Sequence, residues 1–434
     1  MENEVQERLL TSGTEQEGDL KGRVYEESKK IWRVALPGVI SRVTSFGTVV
    51  VTQSFLGHIS AVDLAGYALV QSLGVRFVNG VLIGMSSATE TLCGQAFGAK
   101  QYHMMGIFLQ RSWLSTFHCL GLLSTFSSGV LLALWRTEYI AWLVVVGEFI
   151  YVFGGWCPDS WTGFSLAALK DIPPVVKLSI SSGLMVCLEL WYYAILVLVA
   201  GYMKNAEVAI SAFSVCLELW YYAILVLLAG YMKNAEVAIS AFSISLNVVA
   251  WEFMICLGIM GSAIVRVANE LGRGDAKATK FSIKVLMATS VIIGLFFWIL
   301  CLAFGNKLGY LFTNEEEVAQ TVSDLSLLLA FSVLLNGIYP VLSGVAVGAG
   351  LQTKVAIINL VCFYIIGLPI GAVLGYVFQL QVKGIWLGMN TGVVAQTLSL
   401  SFMVWRTNWD EEVSKTSTRL KKWYLRSKEE NNHA

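Results

Sequence analysis

The chain has 434 residues, of which 56% are hydrophobic and only 14% charged, and its mean hydropathy is +0.65. A water-soluble domain carries about 25% charged residues, so an ordinary soluble globular protein is excluded and a multi-pass membrane protein is the class that remains. The formal net charge is zero, which leaves no overall basic field to attract nucleic acid; the partners expected are the lipid bilayer and small organic solutes.

In chain order, the first thirty residues are polar and acidic, without an apolar signal segment, and are expected to form a cytoplasmic tail. Long apolar stretches follow at 32–56, 66–89 and 107–134, with a shorter one at 141–155. The segment 157–174 carries turn residues and a tryptophan and reads as a linker between two halves. Beyond it lie further stretches at 175–203, 208–231, 237–264, 282–304, 320–346, 354–378 and 383–405, then a polar tail over 407–434. All are read as helices, because unpaired backbone in hydrocarbon is too costly for open strands. The expected organisation is a tail (1–30), a first lobe (31–156), the linker, a second lobe (175–406) and a second cytoplasmic tail. Glycine rows spaced by four, Gly80 and Gly84, Gly344 and Gly348, Gly367 to Gly375 and Gly384 to Gly392, are expected to let helices approach closely.

Two repeats are visible. Residues 186–214 recur at 215–243 with 28 matches in 29, Val199 becoming Leu228. The other is faint: GMSSATETLCGQAFG at 84–98 aligns without gaps on GIMGSAIVRVANELG at 258–272, with glycine at both ends and Gln95 over Asn269. Both segments are read as glycine-bounded cytoplasmic loops, because basic residues follow each, and equal orientation implies parallel repeats about an axis along the membrane normal. Counting crossings from the cytoplasm, the basic loop 273–284 stays inside only if one copy of the tandem segment spans in the usual way.

Eight cysteines stand singly, at 93, 119, 157, 187, 216, 256, 301 and 362, with no C-x-x-C pair; they read as small apolar fillers, and no metal site is expected. No Walker A, Gly-x-Ser-x-Gly or H-E-x-x-H string appears, so neither ATP-driven transport nor enzymatic hydrolysis has a motif behind it.

Several motifs carry a resemblance. SSATETLCGQAFGAKQYHMMGIFLQRSW at 86–113, CLELWY at 187–192 and again at 216–221, VRVANELGRGDA at 265–276, PVLSGVAVGAGLQ at 340–352 and GIWLGMNTGVVAQT at 384–397 resemble the plant branch of the multidrug and toxic compound extrusion (MATE) transporters. LLNGIYPVLSGVAVGAG is similar to the subgroup that contains flavonoid transporters. The resemblance implies an all-α membrane bundle of two pseudo-symmetric six-helix lobes around a V-shaped cavity. It implies antiport of organic solutes such as xenobiotics and flavonoid-type metabolites against protons or sodium, with no other cofactor, at the vacuolar or plasma membrane. Between Leu134 and about Trp142 the chain departs from the family, lacking its fourth helix and most of its fifth, so the first lobe is expected to be about two helices short. The alternative is a truncated or splice-variant membrane protein that does not transport and regulates relatives by association.

An ionised group deep in a membrane costs several kcal/mol, so a carboxylate there is a functional candidate. Glu189 and its copy Glu218 share a helical face with tyrosines three and four residues on, an arrangement suited to holding a proton, and the resemblance places a coupling acid at this motif. A structural buried hydrogen bond is the competing reading. Asn336 stands where some relatives carry an acid and is a second coupling candidate, with a helix–helix hydrogen bond as its alternative. Tyr192, Tyr221, Asn247, Trp251, Asn359 and Tyr364 are candidates to line a solute pocket, against plain aromatic packing. Pro37, Gly337, Pro340 and Pro369 are candidate hinges. Arg42 and Arg76 are expected to pair with Glu148 or Glu252 or to snorkel, and Glu90 and Gln95 to hold the shape of a cytoplasmic loop.

Overall fold

A computed structural model describes residues 20–59, 76–126, 146–147, 149–161, 163–165, 175–185, 235–308, 316–378 and 381–431. Among these residues the regular structure is helical throughout. The helices are α1 (Leu20–Ile59), α2 (Arg76–Gly98), α3 (Tyr102–Phe126), the short α4 (Val175–Met185), α5 (Ala235–Arg273), α6 (Ala276–Leu308), α7 (Glu316–Gly348), α8 (352–377), α9 (Gln381–Arg406) and α10 (Trp409–Asn431). Four described stretches are long and apolar enough to cross a membrane: Val249–Arg273, Ala276–Phe304, Ser326–Gly348 and Gln352–Gly371.

The surface of these helices is apolar where a soluble bundle would be charged. On α6, Ile292, Leu295, Phe296, Ile299 and Leu302 form an exposed stripe at helical spacing, and Leu398, Phe402 and Trp405 do the same on α9. Such stripes suit contact with lipid chains rather than water.

Glycine rows set how the helices cross. A Cβ on Gly344 would sit 2.7 Å from the Met260 carbonyl oxygen, and one on Gly348 would sit 2.6 Å from that of Ile264, so α7 lies against the backbone of α5. Gly337 meets Gly294 of α6, where an added Cβ would lie 3.0 Å from its Cα, and the Ser290 hydroxyl donates to the Gly337 carbonyl at the same place. Gly388 and Gly392 of α9 mesh in the same way with Gly371 and Gly367 of α8. These rows pack helices, as expected, and they enclose the larger core, in which Ile259, Ala263, Val267, Leu271, Leu286 and Val345 are buried.

Both polar ends take part in the fold. The segment read as a tail already becomes helical at Leu20, and α1 runs antiparallel along α5: Glu27 reaches Arg266, Gly38 meets Gly258 and Phe46 meets Trp251. At the other end α10 buries Trp409 in the larger core and Leu420 in a smaller one with Leu92, Met104, Phe108 and Val175. The linker is clasped by Gln110 of α3, whose amide donates to the Gly163 carbonyl and accepts from the Ser165 N–H, both at 2.9 Å. Trp161 joins Trp113, Phe153 and Phe164 in an aromatic cluster beside it.

Candidate functional site

The two segments of the faint repeat are helical, not loops: 84–98 closes α2 and 258–272 lies within α5. They cross each other reciprocally. A Cβ on Gly98 would collide with the Asn269 carbonyl, and a Cβ on Gly272 would collide with the Gln95 carbonyl. In the alignment Gly98 matches Gly272 and Gln95 matches Asn269, so each contact is the mirror of the other, as a local two-fold between the segments requires. Glycine is needed at both places because two helix backbones touch there.

Polar side chains seal this crossing. The Thr91 hydroxyl donates to the Val347 carbonyl at 2.9 Å, Gln352 donates to Thr91 at 3.3 Å, and Gln95 donates to the Gly348 carbonyl at 3.4 Å. With its amide nitrogen turned to the carbonyl, Asn269 donates to Gly94 at 2.8 Å. Thr91, Gln95 and Gln352 are fully buried. Gln95 therefore joins helices rather than shaping a loop.

Next to the crossing lies a buried charge cluster. Arg266 donates to Glu27 through Nε at 2.9 Å and through Nη2 at 3.1 Å, and reaches Glu270 at 2.5 Å. Ser282 of α6 donates to Glu27 at 2.6 Å, while Arg273 approaches the other oxygen of Glu270 at 3.1 Å. Burial by itself would raise the Glu27 carboxyl, but the Ser282 hydroxyl and the Arg266 charge outweigh it and hold the group below its ordinary value of 4.5. Three helices, α1, α5 and α6, are thus fastened at one end by a single carboxylate, that of Glu27, which accepts from both Arg266 and Ser282.

Deeper along α5, the Glu252 carboxyl is 2% exposed; its Oε1 accepts from the Cys256 thiol at 2.9 Å, and Oε2 has no hydrogen-bond partner. Arg42, one of the two arginines expected near it, bears electrostatically on Glu90 instead. Amides and hydroxyls make further polar contacts between the helices. Gln396 donates to Asn359 at 2.9 Å between α9 and α8, and Ser332 donates to Asn390 at 3.0 Å between α7 and α9.

Helix α8 departs from α-geometry. Residues Gln352–Asn359 are α-helical, Leu360–Gly367 form a π-helix, Leu368–Ala372 return to α and Val373–Val377 are π again. Pro369 sits between the wide turns, where its missing N–H and its ring disfavour an ordinary i to i−4 ladder. Tyr364 lies on the first π stretch, partly buried, and Asn359 immediately precedes it. Pro37 and Pro340 stand inside the unbroken helices α1 and α7, and Gly337 is at the α6 crossing, three residues before Pro340.

Of the other predicted residues, Trp251 is 39% exposed and packs edge-on against Phe46 at 5.1 Å, and Asn336 is partly buried on α7. Asn359 is fully buried against Gln396. Glu189, Glu218, Tyr192 and Tyr221 lie outside the described residues, as do the side chains of Asn247 and Arg76 and all of Glu148.

Comparison with known proteins bears on this arrangement. The MatE family profile matches residues 37–145 and 211–373, more than half of the chain. The chain belongs to the MATE family. Protein DETOXIFICATION 24 of Arabidopsis thaliana is 42% identical over 516 aligned positions, covering 99% of this chain and 97% of that protein. Protein DETOXIFICATION 25 of the same plant is 43% identical over 502 positions, covering 97% of this chain and 95% of its own length. The crystal structure of the eukaryotic MATE transporter AtDTX14 superposes with a TM-score of 0.71 at 24% identity, covering 91% of this chain and 99% of that one. The fold is therefore that of a multi-pass MATE transporter.

Two details of the family matches bear on this chain's departures. The 516-position alignment exceeds the 434-residue chain by 82, so at least that many aligned positions have no counterpart here. The second profile match begins at residue 211, so it takes in Glu218 and leaves Glu189 outside.

Proposed function

We propose that this MATE chain is a proton-coupled antiporter that moves organic solutes, xenobiotics or flavonoid-type metabolites, across the vacuolar or plasma membrane, and that it is not an enzyme. The observation that carries the reading is family membership at about the whole length of the chain: 42% identity over 99% of it. The coupling carboxylate is Glu218, since the family match resumes at residue 211 and runs through the second CLELW copy. Asn336, on the helix that crosses α6 at Gly337, is its amide partner in the cavity, and Trp251, Asn247, Asn359, Tyr364, Tyr192 and Tyr221 contribute to solute contact. The wide turns of α8 around Pro369 and the Gly337–Pro340 stretch supply the bending that alternating access needs. A proton drives solute only by binding the two facings with different affinity. Protons are favoured over sodium because the CLELW motif offers one carboxylate with phenols, too few oxygens for a cation that is held by several.

The shortfall of at least 82 aligned positions favours a second reading, a chain that inserts and folds but does not transport by itself. Uptake of a radiolabelled organic cation or flavonoid glucoside into proteoliposomes under an imposed pH gradient decides between them. Gradient-dependent uptake well above protein-free vesicles supports antiport; uptake no faster than in empty vesicles supports the second reading.

A further inference from the structure

The duplicated CLELW segment supplies the coupling carboxylate in the function proposed above; among the described buried acids, Glu252 has no part in that scheme and no ion pair. Glu252 lies on α5 within the apolar stretch Val249–Arg273, 18 residues before Glu270, or about 27 Å along a helix rising 1.5 Å per residue. The charge cluster that fastens the end of α5 is therefore out of reach. Among the described residues no ion pair includes Glu252.

On α5 itself the Cys256 thiol donates to Glu252 Oε1 at 2.9 Å. On α6 the buried Cys301 thiol lies within the field of the Glu252 carboxylate. α7 brings the Tyr339 phenol to the adjoining Phe253, with ring centroids 6.0 Å apart. α1 carries Arg42, whose charge bears on Glu90 of α2. α10 places Trp409 in the larger core, with Leu271 at the far end of α5 from Glu252. Among the described residues, then, Glu252 has the Cys256 thiol on one oxygen and the Cys301 thiol within its field, and no ion pair with a cation.

Ionised, a carboxylate 2% exposed with one oxygen unpartnered carries a charge that no ion pair among the described residues balances. Burial of an uncompensated charge costs far more than burial of a neutral polar group. A proton on Oε2 removes that charge without disturbing the Cys256 contact to Oε1. A metal cation is not suited to the place, because a single carboxylate and a thiol cannot supply the several oxygens that a hard cation requires.

We propose that Glu252 is a proton-binding site of the second lobe, distinct from the CLELW carboxylate, which holds a proton while α5 is packed against α1 and releases it when that packing opens. The reaction is carboxylate plus proton giving the neutral acid, with no other bond made or broken. α1 is the wall that moves: the Phe46–Trp251 contact and the Gly38–Gly258 crossing cover the acid on that side, and α5 and α7 remain joined through Gly344 and Gly348. The exchange then uses two protonatable groups, one on each of two consecutive segments of the lobe. This deepens the antiport reading and rests on it.

Two measurements separate the site from the transport scheme. In the first, the wild-type protein in lipid vesicles is treated with dicyclohexylcarbodiimide, which modifies protonated carboxyls in apolar settings, and the products are mapped by mass spectrometry. The peptide holding Glu252 is expected to be labelled at neutral pH, and its labelling to fall at least tenfold in alkaline buffer. An unmodified Glu252 at neutral pH, or labelling that ignores pH, overturns the proton site whatever the transport result. In the second, Glu252→Gln is expected to lose at least tenfold of pH-gradient-driven uptake while still binding solute, and Glu252→Asp to recover part of it. If Glu252→Gln matches wild type in rate and pH profile, the coupling role is overturned. If wild type itself shows no gradient-driven uptake, the antiport reading fails and with it the coupling role, while the labelling still judges the proton site. A Glu252→Gln protein that does not fold leaves the labelling of the wild type to decide.

Discussion

Replacing Gly98 by alanine tests the reciprocal crossing of α2 and α5. The added Cβ would meet the Asn269 carbonyl oxygen head-on and would lie 2.7 Å from the Asn269 carbonyl carbon and 3.0 Å from the Arg273 nitrogen. All three are backbone atoms, so no side chain can rotate away. Reaching an ordinary separation of 3.4 Å from the carbonyl carbon alone requires about 0.7 Å of retreat between the helices. Overpacking of this kind costs about 1–3 kcal/mol. Gly272→Ala meets the Gln95 backbone in the mirrored way and should cost about the same. Because one separation of the helices relieves both collisions, the double variant should lose clearly less than the sum of the singles. Thermal unfolding of purified protein in detergent, followed by loss of the monodisperse peak, measures this. A cost of about 2 kcal/mol to this packing shifts a two-state equilibrium roughly thirtyfold towards a state in which the helices part. Labelling of a cysteine placed at Thr91 should therefore rise in either single variant. Wild-type stability in both singles, or full additivity in the double, would refute the reciprocal contact.

Other consequences follow from the same geometry. Glu27→Gln should destabilise by about 3 kcal/mol, since it leaves Arg266 buried with Glu270 alone. As Glu27 is held below its ordinary value, its contribution is complete above about 4.5 and is lost as pH falls through the lowered folded value, so melts in acid should converge for wild type and Glu27→Gln. Leu420→Ala removes the side chain that ties α10 to the smaller core and should cost about 2–5 kcal/mol, read as faster proteolysis of the last helix. Lys280→Ala, which breaks only the exposed pair with Asp410, should cost less than about 1 kcal/mol in the same assay. Gln396→Leu should lose about 1–3 kcal/mol by stranding Asn359, and the Asn359→Leu/Gln396→Leu pair should regain much of it in a thermal-melt cycle.

The spans were legible wherever lipid dictates the composition. α6 is apolar over 282–304 because its outward face meets lipid chains and its inward face meets α7, so both faces call for the same residues. The glycine rows announced close crossings, but their partners depend on three-dimensional adjacency: nothing in Gly98 names Asn269. The glycine-bounded segments look like loops in sequence, and are helical because the missing side chains make room for a neighbouring backbone. The ends were least legible. The polar start of α1 and all of α10 are held by scattered buried residues, Glu27 at one end and Trp409, Glu412, Thr416 and Leu420 at the other, which are too mixed in character to give an apolar periodic signal. Glu252 was visible as an acid in an apolar run, with two arginines as possible partners. Only the structure shows the unpartnered carboxyl oxygen on Glu252.

The most direct test of the account is proton movement caused by solute itself. Proteoliposomes loaded with an organic cation and a pH-sensitive dye, with no imposed pH gradient, are diluted into solute-free buffer. The account predicts that the interior acidifies as solute leaves, that the change vanishes in Glu218→Gln, and that replacing external sodium with choline leaves it unaltered. Solute efflux with no change of internal pH, or efflux that requires external sodium, would contradict it.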